Sequence, residues 1–289
     1  MKTQSVFLIL LVLALPAFAQ LTSNHNRYRP GDVLIKRQVE STSPGESGAN
    51  KTWNFSKLKT VKEEYTLRYD LPPLEGDSVY IHGGKRYRVK NVFADELIIG
   101  IEHNTMYYYR QAGDSLLLLG HENPSVKLNY DPSIQQMRFP LNYGQTVSSN
   151  YDSKGLYSGT IKIQTTGTVT TSADAYGKLI LPSGDSLSPV LRVKTIQTIE
   201  DHKDNTNANI KALETCRWYS KGYRYPVFET VRNINVADST VIFSTAFFYP
   251  PQEHLYLDTD PENQALLDDL WKDTEKKTDR RKHRSESKC

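Results

Sequence analysis

Hydrophobic and polar residues alternate with a period of two along much of this chain. The clearest stretches are residues 86–93, 159–175 and 189–200. In the last of these, Leu191 and Val193 alternate with Arg192 and Lys194. Successive side chains of a strand point to opposite faces, so the pattern predicts antiparallel strands with one face against a core. We therefore predict an all-β fold, an antiparallel β-sandwich over residues 20–256. One large sandwich, or two small ones divided near residues 144–155, would fit this pattern.

The pattern changes at the C-terminus, where residues 257–277 predict a short amphipathic helix. Asp260 is a candidate N-cap, and Pro261 suits the first helical position. One apolar stripe contains Leu266, Leu267, Leu270 and Trp271. This stripe could dock on the sandwich, pair with a partner or touch a membrane surface, and the sequence leaves all three open. The remaining residues, 278–289, predict a disordered basic tail.

Four predicted hairpin turns share the pair Asp-Ser directly before an apolar run. They are EGDSVYI (75–81), AGDSLLLL (112–119), SGDSLSPV (183–190) and VADSTVIF (236–243). Asp and Ser side chains hydrogen-bond the backbone that follows them, which favours a turn that opens a strand. The irregular spacing of the four turns argues against a structural repeat.

The N-terminus has the pattern of a secretory signal peptide. Lys2 precedes an apolar run, and Ala17-Phe18-Ala19 fits the small-x-small cleavage rule. We predict a signal peptide over residues 1–19, with cleavage between Ala19 and Gln20, although an uncleaved anchor would share the pattern. The apolar run is too short for a transmembrane segment. The predicted location is the periplasm, the outer membrane surface or the extracellular space.

The distribution of charge argues against a nucleic-acid-binding protein, and the cysteine content leaves two possibilities open. The net charge is +3, and the last fourteen residues hold seven Lys or Arg against two Asp or Glu, so the positive charge lies in the tail. The body lacks the basic surface of a nucleic-acid-binding protein. The cysteines are Cys216 and Cys289. Their spacing leaves open a disulfide or a buried, inert Cys216 thiol.

Catalytic motifs are weak in this sequence. Gly-Asp-Ser-Leu, the signature of GDSL esterases, occurs at 113–116 and 184–187, but no histidine follows an Asp by three residues to supply that family's base. No metal-ligand spacing, phosphate-binding glycine loop or dinucleotide fingerprint is present. We predict no catalytic residue, metal or cofactor. A carbohydrate-active or ester hydrolase is the alternative, since scattered carboxylates could meet in space.

Aromatic clusters are the candidates for binding. They comprise Tyr107, Tyr108, Tyr109, Trp218, Tyr219, Tyr223 and Tyr225. These residues could form a face that stacks on a sugar or peptide, or they could fill the core and form cross-strand pairs. Tyr107 and Tyr109 share one face of a strand, and Tyr108 lies on the other.

The stretch GESGANKTWNFS resembles a segment of secreted Bacteroidetes β-rich proteins, in which Gly-x-Asn-x-Thr-Trp-Asp/Asn-Phe-Ser opens the β domain. The matching residues are Gly45, Gly48, Asn50, Thr52, Trp53, Asn54, Phe55 and Ser56. The stretches 137–145, 174–184, 190–195 and 218–229 resemble the same group. A turning corner followed by Trp53 and Phe55 on one face of a strand predicts a structural anchor, with both rings buried.

The resemblance implies an exported envelope protein without a catalytic motif. Some members of the group are type IX secretion cargo, but this chain ends in a charged tail where such cargo has a β-rich sorting domain. The function implied is non-enzymatic: a structural, adhesion or binding component, with an envelope protein or a glycan as its partner. Bacteroidetes O-glycosylation at Asp-Ser sites makes Ser78, Ser115, Ser186 and Ser239 candidate modification sites.

Overall fold

A computed structural model describes residues 20–71, 97–201 and 210–286 of the protein. The strands are β1 (Gln20–Leu21), β2 (Val33–Val39), β3 (Gly48–Asn54), β4 (Thr60–Asp70), β5 (Leu97–Glu102), β6 (Thr105–Ala112), β7 (Ser115–Glu122), β8 (Val126–Arg138), β9 (Leu141–Asn142), β10 (Thr146–Tyr157), β11 (Ile161–Ile180), β12 (Ser186–Asp201), β13 (Ile210–Ser220), β14 (Phe228–Asn235) and β15 (Val241–Phe248). The helices are α1 (Ser23–Asn26) and α2 (Pro261–Glu286), with 3-10 turns at Pro251–Glu253 and Leu255–Thr259. The all-β class is confirmed.

Twelve of these strands form one closed antiparallel barrel, so the predicted sandwich is wrong. The ring runs β10-β8-β7-β6-β5-β4-β2-β15-β14-β13-β12-β11 and returns to β10. Closure rests on β10, which pairs with β8 along one edge and with β11 along the other. Alternation along a strand is the same in a sandwich and in a barrel, because it reports one buried face and not where the last strand pairs. Segment 144–155, where a division was left open, lies largely in β10.

The long strand β11 has different neighbours along its length. Its first part pairs with β10, and its last part pairs in parallel with β3, from Ala175 opposite Gly48 to Ile180 opposite Asn54. A bulge between Ala173 and Ala175 separates the two parts. β3 therefore lies beside the ring and brings Trp53 to its wall.

The two faces of the barrel wall carry different cores. One cluster joins Leu116 and Met137, on β7 and β8, to Leu191 and Tyr219, on β12 and β13. Because these strands lie far apart around the ring, their side chains meet inside the barrel. A second cluster contains Trp53, Phe55, Trp218 and Phe228 and covers the outer face of β12 to β15.

The helix α2 begins at Pro261 directly after Asp260, as the sequence predicts, and extends through Glu286. Its sequence after Trp271 contains no Gly or Pro and many good helix formers, so no local signal ends it at the predicted residue 277. Trp271 is 70% exposed, whereas Leu266, Leu267 and Leu270 are half-buried against the barrel. In the described part of the chain, no helix has both the length and the apolar character needed to cross a membrane.

The segment before α2 contains a buried histidine that makes folding sensitive to acid. His254 is 4% exposed, Tyr256 Oη lies 3.1 Å from its Nδ1, and burial lowers its pKa to about 4. The unfolded chain takes up this proton near pH 6.5. The free energy of unfolding should therefore fall as the pH decreases from about 6.5 to about 4, by up to ~1.4 kcal/mol per pH unit.

Urea denaturation of wild type and His254→Gln at neutral and acidic pH measures this effect. We expect the variant to lose less stability on acidification. The free energy of unfolding of the variant should still fall to some extent with decreasing pH, because burial also lowers the pKa of His121 to about 4. Equal losses in the two proteins would contradict the assignment to His254.

Candidate functional site

The N-terminal segment closes one end of the barrel, here called the cap end. Leu21 is 3% exposed in the interior cluster, and β1 pairs with β9. Asn26 then ties α1 to the loop after β13. Its Oδ1 accepts from the Thr22 amide at 3.0 Å, and its Nδ2 donates to the Arg224 carbonyl at 3.2 Å. These bonds fix α1 against residues almost two hundred positions later in the chain.

Arg224 fixes the start of α2 at the same end. Its Nε and second guanidinium nitrogen donate to both oxygens of Asp260 at 2.7 and 2.8 Å, and the remaining nitrogen donates to the Asn24 and Arg27 carbonyls. Asp260 is 1% exposed. Burial opposes its ionisation, but hydrogen bonds from Arg224 and Asn263 hold its pKa below the ordinary value. The ion pair thus joins α1, the loop after β13 and α2.

A groove of about 480 Å³ lies between α2 and the cap end, and we call it the end groove. Its lining includes Thr22, His25, Tyr219, Tyr223, Asn263 and Leu266. Its volume falls in the range of small-molecule sites, about 300–1,000 Å³. The lining also includes Lys221 and Asp273, whose charges are opposite.

Three residues that line this groove carry a buried polar atom without a hydrogen-bond partner among the described residues. The atoms are Thr22 Oγ1, His25 Nδ1 and Asn263 Oδ1. Asn263 is 1% exposed, and its amide orientation is fixed, since Nδ2 donates to the His25 carbonyl at 3.1 Å and to Asp260 at 2.8 Å. Buried polar groups normally have partners, so three such exceptions in residues that line one groove point to it as a candidate site for a polar ligand.

The aromatic residues predicted for binding are not brought together on one face. Tyr219 and Tyr223 line the end groove. Trp218 belongs to the outer cluster, and Tyr225 stacks on Tyr69 inside the barrel with ring centroids 5.1 Å apart. The three consecutive tyrosines alternate between the two faces of their strand. Tyr107 and Tyr109 stack inside the barrel, and Tyr108 is buried on the other side of the wall.

Backbone conformation and hydrogen bonds from Arg192 hold the corner before Trp53 in place. Gly45, Gly48 and Asn50 all have positive φ, at 71°, 120° and 54°. A Cβ on Gly45 would lie 3.3 Å from Trp53 Cδ1, so a side chain there would crowd the indole. Arg192, 1% exposed, donates to the Pro44 and Gly45 carbonyls and to Asp174. Trp53 and Phe55 are 5% and 7% exposed, as the anchor hypothesis expects.

The candidate serines lie at hairpin turns where the structure describes them. Ser115 is half-buried after the β6–β7 turn, donates to Asp114 at 3.0 Å and accepts from Gln135 at 3.2 Å. Ser186 and Ser239 are exposed at the β11–β12 and β14–β15 turns. Ser78 and Ala19 lie outside the described residues, and Gln20 is the first residue of β1. Glycosylation and signal cleavage stay predictions.

Inside the barrel, a network of ion pairs surrounds Lys36. Its ammonium contacts Glu102 and Glu229 and lies 4.0 Å from the centre of the Phe247 ring. Arg217 donates to Glu229 at 2.5 Å. Burial raises the pKa of Glu229, but Arg217 and Lys36 together bring it down to about 2. Because these charged groups pair with one another, we infer that their role is structural, within the barrel interior.

Sequence reasoning missed the polar side of the end groove. Thr22, His25 and Asn263 belong to no motif, and they come from the two ends of the chain. The available signals were the apolar stripe with Leu266 and the tyrosines Tyr219 and Tyr223, which belong to two of the elements that border the groove.

Comparisons with known proteins do not test the resemblance drawn from the sequence. No protein-family model, no curated protein and no solved structure matches the chain. Membership in the secreted Bacteroidetes group therefore stays a prediction from the matching stretches.

Proposed function

We propose that this protein is an exported, non-enzymatic binding component of the cell envelope that holds a neutral saccharide in the end groove. The observation that carries the proposal is that three residues lining one groove, Thr22, His25 and Asn263, each hold a buried polar atom without a partner among the described residues. Export rests on the signal-peptide pattern of residues 1–19, and the place of action is the periplasm, the outer membrane surface or the extracellular space.

The chemistry of the lining favours a ligand rich in hydroxyl groups. The Asn263 oxygen only accepts hydrogen bonds, the Thr22 hydroxyl both donates and accepts, and Nδ1 of a neutral imidazole does one or the other. A saccharide hydroxyl matches each of these atoms in hydrogen-bonding character. Tyr223 adds aromatic surface and Leu266 adds apolar surface, whereas Tyr219 is 5% exposed and contributes little. Flat apolar faces beside directed polar groups suit a sugar ring.

The charges of the groove favour a neutral ligand over an acidic one. Lys221 and Asp273 have opposite signs, and the Arg224 guanidinium near this end is already bound to Asp260 and to backbone carbonyls. The lining thus offers an acidic sugar one cation and one carboxylate, so it gives no net attraction to a negative charge.

Thr22→Val tests the proposal, because it removes a hydroxyl that bonds to nothing else in the described chain. Calorimetric titration with a panel of neutral mono- and disaccharides, and with their uronic-acid counterparts, should identify a neutral ligand. The variant should bind it about three- to tenfold more weakly, the effect of one lost hydrogen bond. Its free energy of unfolding should change by less than ~0.5 kcal/mol, because no bond within the protein is lost.

Thr259→Val is the matched control. The Thr259 hydroxyl donates to the Tyr256 carbonyl at 3.0 Å and accepts from Arg29, outside the end groove. This variant should lose stability and bind the saccharide as wild type does. Absence of binding to every saccharide, or an affinity that Thr22→Val leaves unchanged, would contradict the proposal.

A further inference from the structure

The hairpin of β14 and β15 extends beyond the strand that flanks it. β14 pairs with β15 from Phe228 opposite Phe248 to Ile234 opposite Val241. On the other side, β2 pairs with β15 only over Ala246 to Phe248. Within the described ranges, no strand pairs with Val241–Thr245 on this side. One edge of this segment therefore presents backbone donors and acceptors to its surroundings.

The edge is open because β2 ends early. β2 stops at Val39, and the amide of Glu40 donates to the carbonyl of Lys59 at 2.9 Å as the chain leaves the barrel wall toward β3. β3 then pairs with β11, on the opposite side of the β12 to β15 wall. The chain that could have continued alongside Val241–Thr245 is thus used to build the Trp53 anchor.

The open segment has a bulge but lacks the charge and proline that usually protect an edge strand. Its sequence, Val-Ile-Phe-Ser-Thr, contains no charge and no proline. Val241, Ile242 and Phe243 are 49%, 54% and 47% exposed. A bulge at Ile242 lies on the β14 side and does not cover the open edge. Natural edge strands carry charges, proline or a cover that prevents pairing, so an uncharged apolar edge is a template for another strand.

Neighbouring side chains enlarge the apolar surface. Val236, at the tip of the same hairpin, is 47% exposed, and Ile210, whose carbonyl accepts from the Val236 amide at 3.1 Å, is 37% exposed. The nearby charges of Arg232 and Glu214 are paired with each other at 2.6 Å. Exposed apolar side chains grouped at one end of a hairpin are typical of an interaction surface.

We propose that Val241–Thr245 is the contact of a homodimer, in which the open edges of two copies pair antiparallel about a twofold axis. A twofold contact needs one surface that is complementary to itself, and an antiparallel pair of identical segments provides this. No like charges meet across the axis, because the segment carries none. For the same reason a charged peptide finds no ionic partner here, whereas a second copy satisfies both edges and covers both apolar patches.

Sedimentation of the purified chain over a wide range of concentration tests this proposal. Wild type should sediment as a dimer that dissociates on dilution. Phe243→Lys should shift dissociation to at least tenfold higher concentration, because it places like charges close to the axis. Ile161→Lys is the matched control: Ile161 is 53% exposed but lies on β11, away from the open edge, and this variant should dimerise as wild type does.

Hydrogen exchange on the unmodified protein gives a second test that does not depend on the folding of a variant. Amides of Val241–Thr245 should exchange more slowly in concentrated than in dilute protein, while those of β11 should not change. A monomer at every concentration, a dimer that Phe243→Lys leaves intact, or assemblies that grow beyond two copies would each overturn the proposal. Saccharide binding in the end groove is independent of all these outcomes.

Discussion

Trp53→Ala should lower the free energy of unfolding by ~3–5 kcal/mol, the usual cost of deleting a large buried aromatic ring. Trp53 is 5% exposed and meets Trp218 edge-on, with ring centroids 5.8 Å apart. The Arg192 guanidinium lies 5.6 Å from the Trp53 ring. Removing the indole therefore opens a cavity between β3 and the barrel wall and takes away one aromatic neighbour of a buried cation.

Guanidinium denaturation followed by circular dichroism measures this loss, and Trp271→Ala is its control. Trp271 is 70% exposed on α2, so its removal should change stability by less than ~0.5 kcal/mol. Equal stabilities of the two variants would show that the corner and β3 do not anchor the fold.

Arg224→Met is expected to cost ~3–5 kcal/mol, because it leaves the Asp260 carboxylate, 1% exposed, without its two hydrogen bonds from a guanidinium and with only Arg29, 3.6 Å away, as a cation. Methionine keeps much of the side-chain volume, so the loss reports the charge and hydrogen bonds. The same change removes the donors to the Asn24 and Arg27 carbonyls. We therefore also expect faster hydrogen exchange in the first turns of α2 and in α1.

Arg37→Met is the control, because it removes an ion pair that is more exposed to solvent than that of Arg224. Arg37 donates to Glu253 at 2.6 Å, but both side chains are about one-third exposed, and such pairs contribute at most ~1 kcal/mol. A loss at Arg224 no larger than that at Arg37 would mean that α2 is held by its apolar contacts alone. Among those contacts, Leu267 lies against Gly222, where an added Cβ would come within 2.6 Å of it.

The site was only partly accessible to sequence reasoning. Tyr219 at the end of β13, Tyr223 after it and Leu266 of the apolar stripe were singled out, and all three line the end groove. The remaining predicted aromatics fill the interior and the outer cluster, because a strand places large residues on both of its faces and the sequence does not say which face is covered. Thr22 and Asn263 carry no local signal, since the absence of a hydrogen-bond partner depends on the distant segments that surround them.

The sequence by itself determined the local elements. Period-two alternation specified the strands, Asp-Ser pairs specified turns such as that before Ser115, and the Gly45–Asn50 corner predicted a turn into buried Trp53 and Phe55. These signals are local because a backbone conformation and a side chain's face depend on residues a few positions apart.

Only the tertiary structure decided how the strands close and which edge stays open. The barrel exists because β10 finds partners on both sides, and β15 keeps an open edge because the chain after Val39 leaves to form β3. The same alternating sequence could have served a sandwich, in which the last strands remain unpaired. Pairing between strands far apart in the chain depends on the fit of the whole ring, and no short window of sequence contains that information.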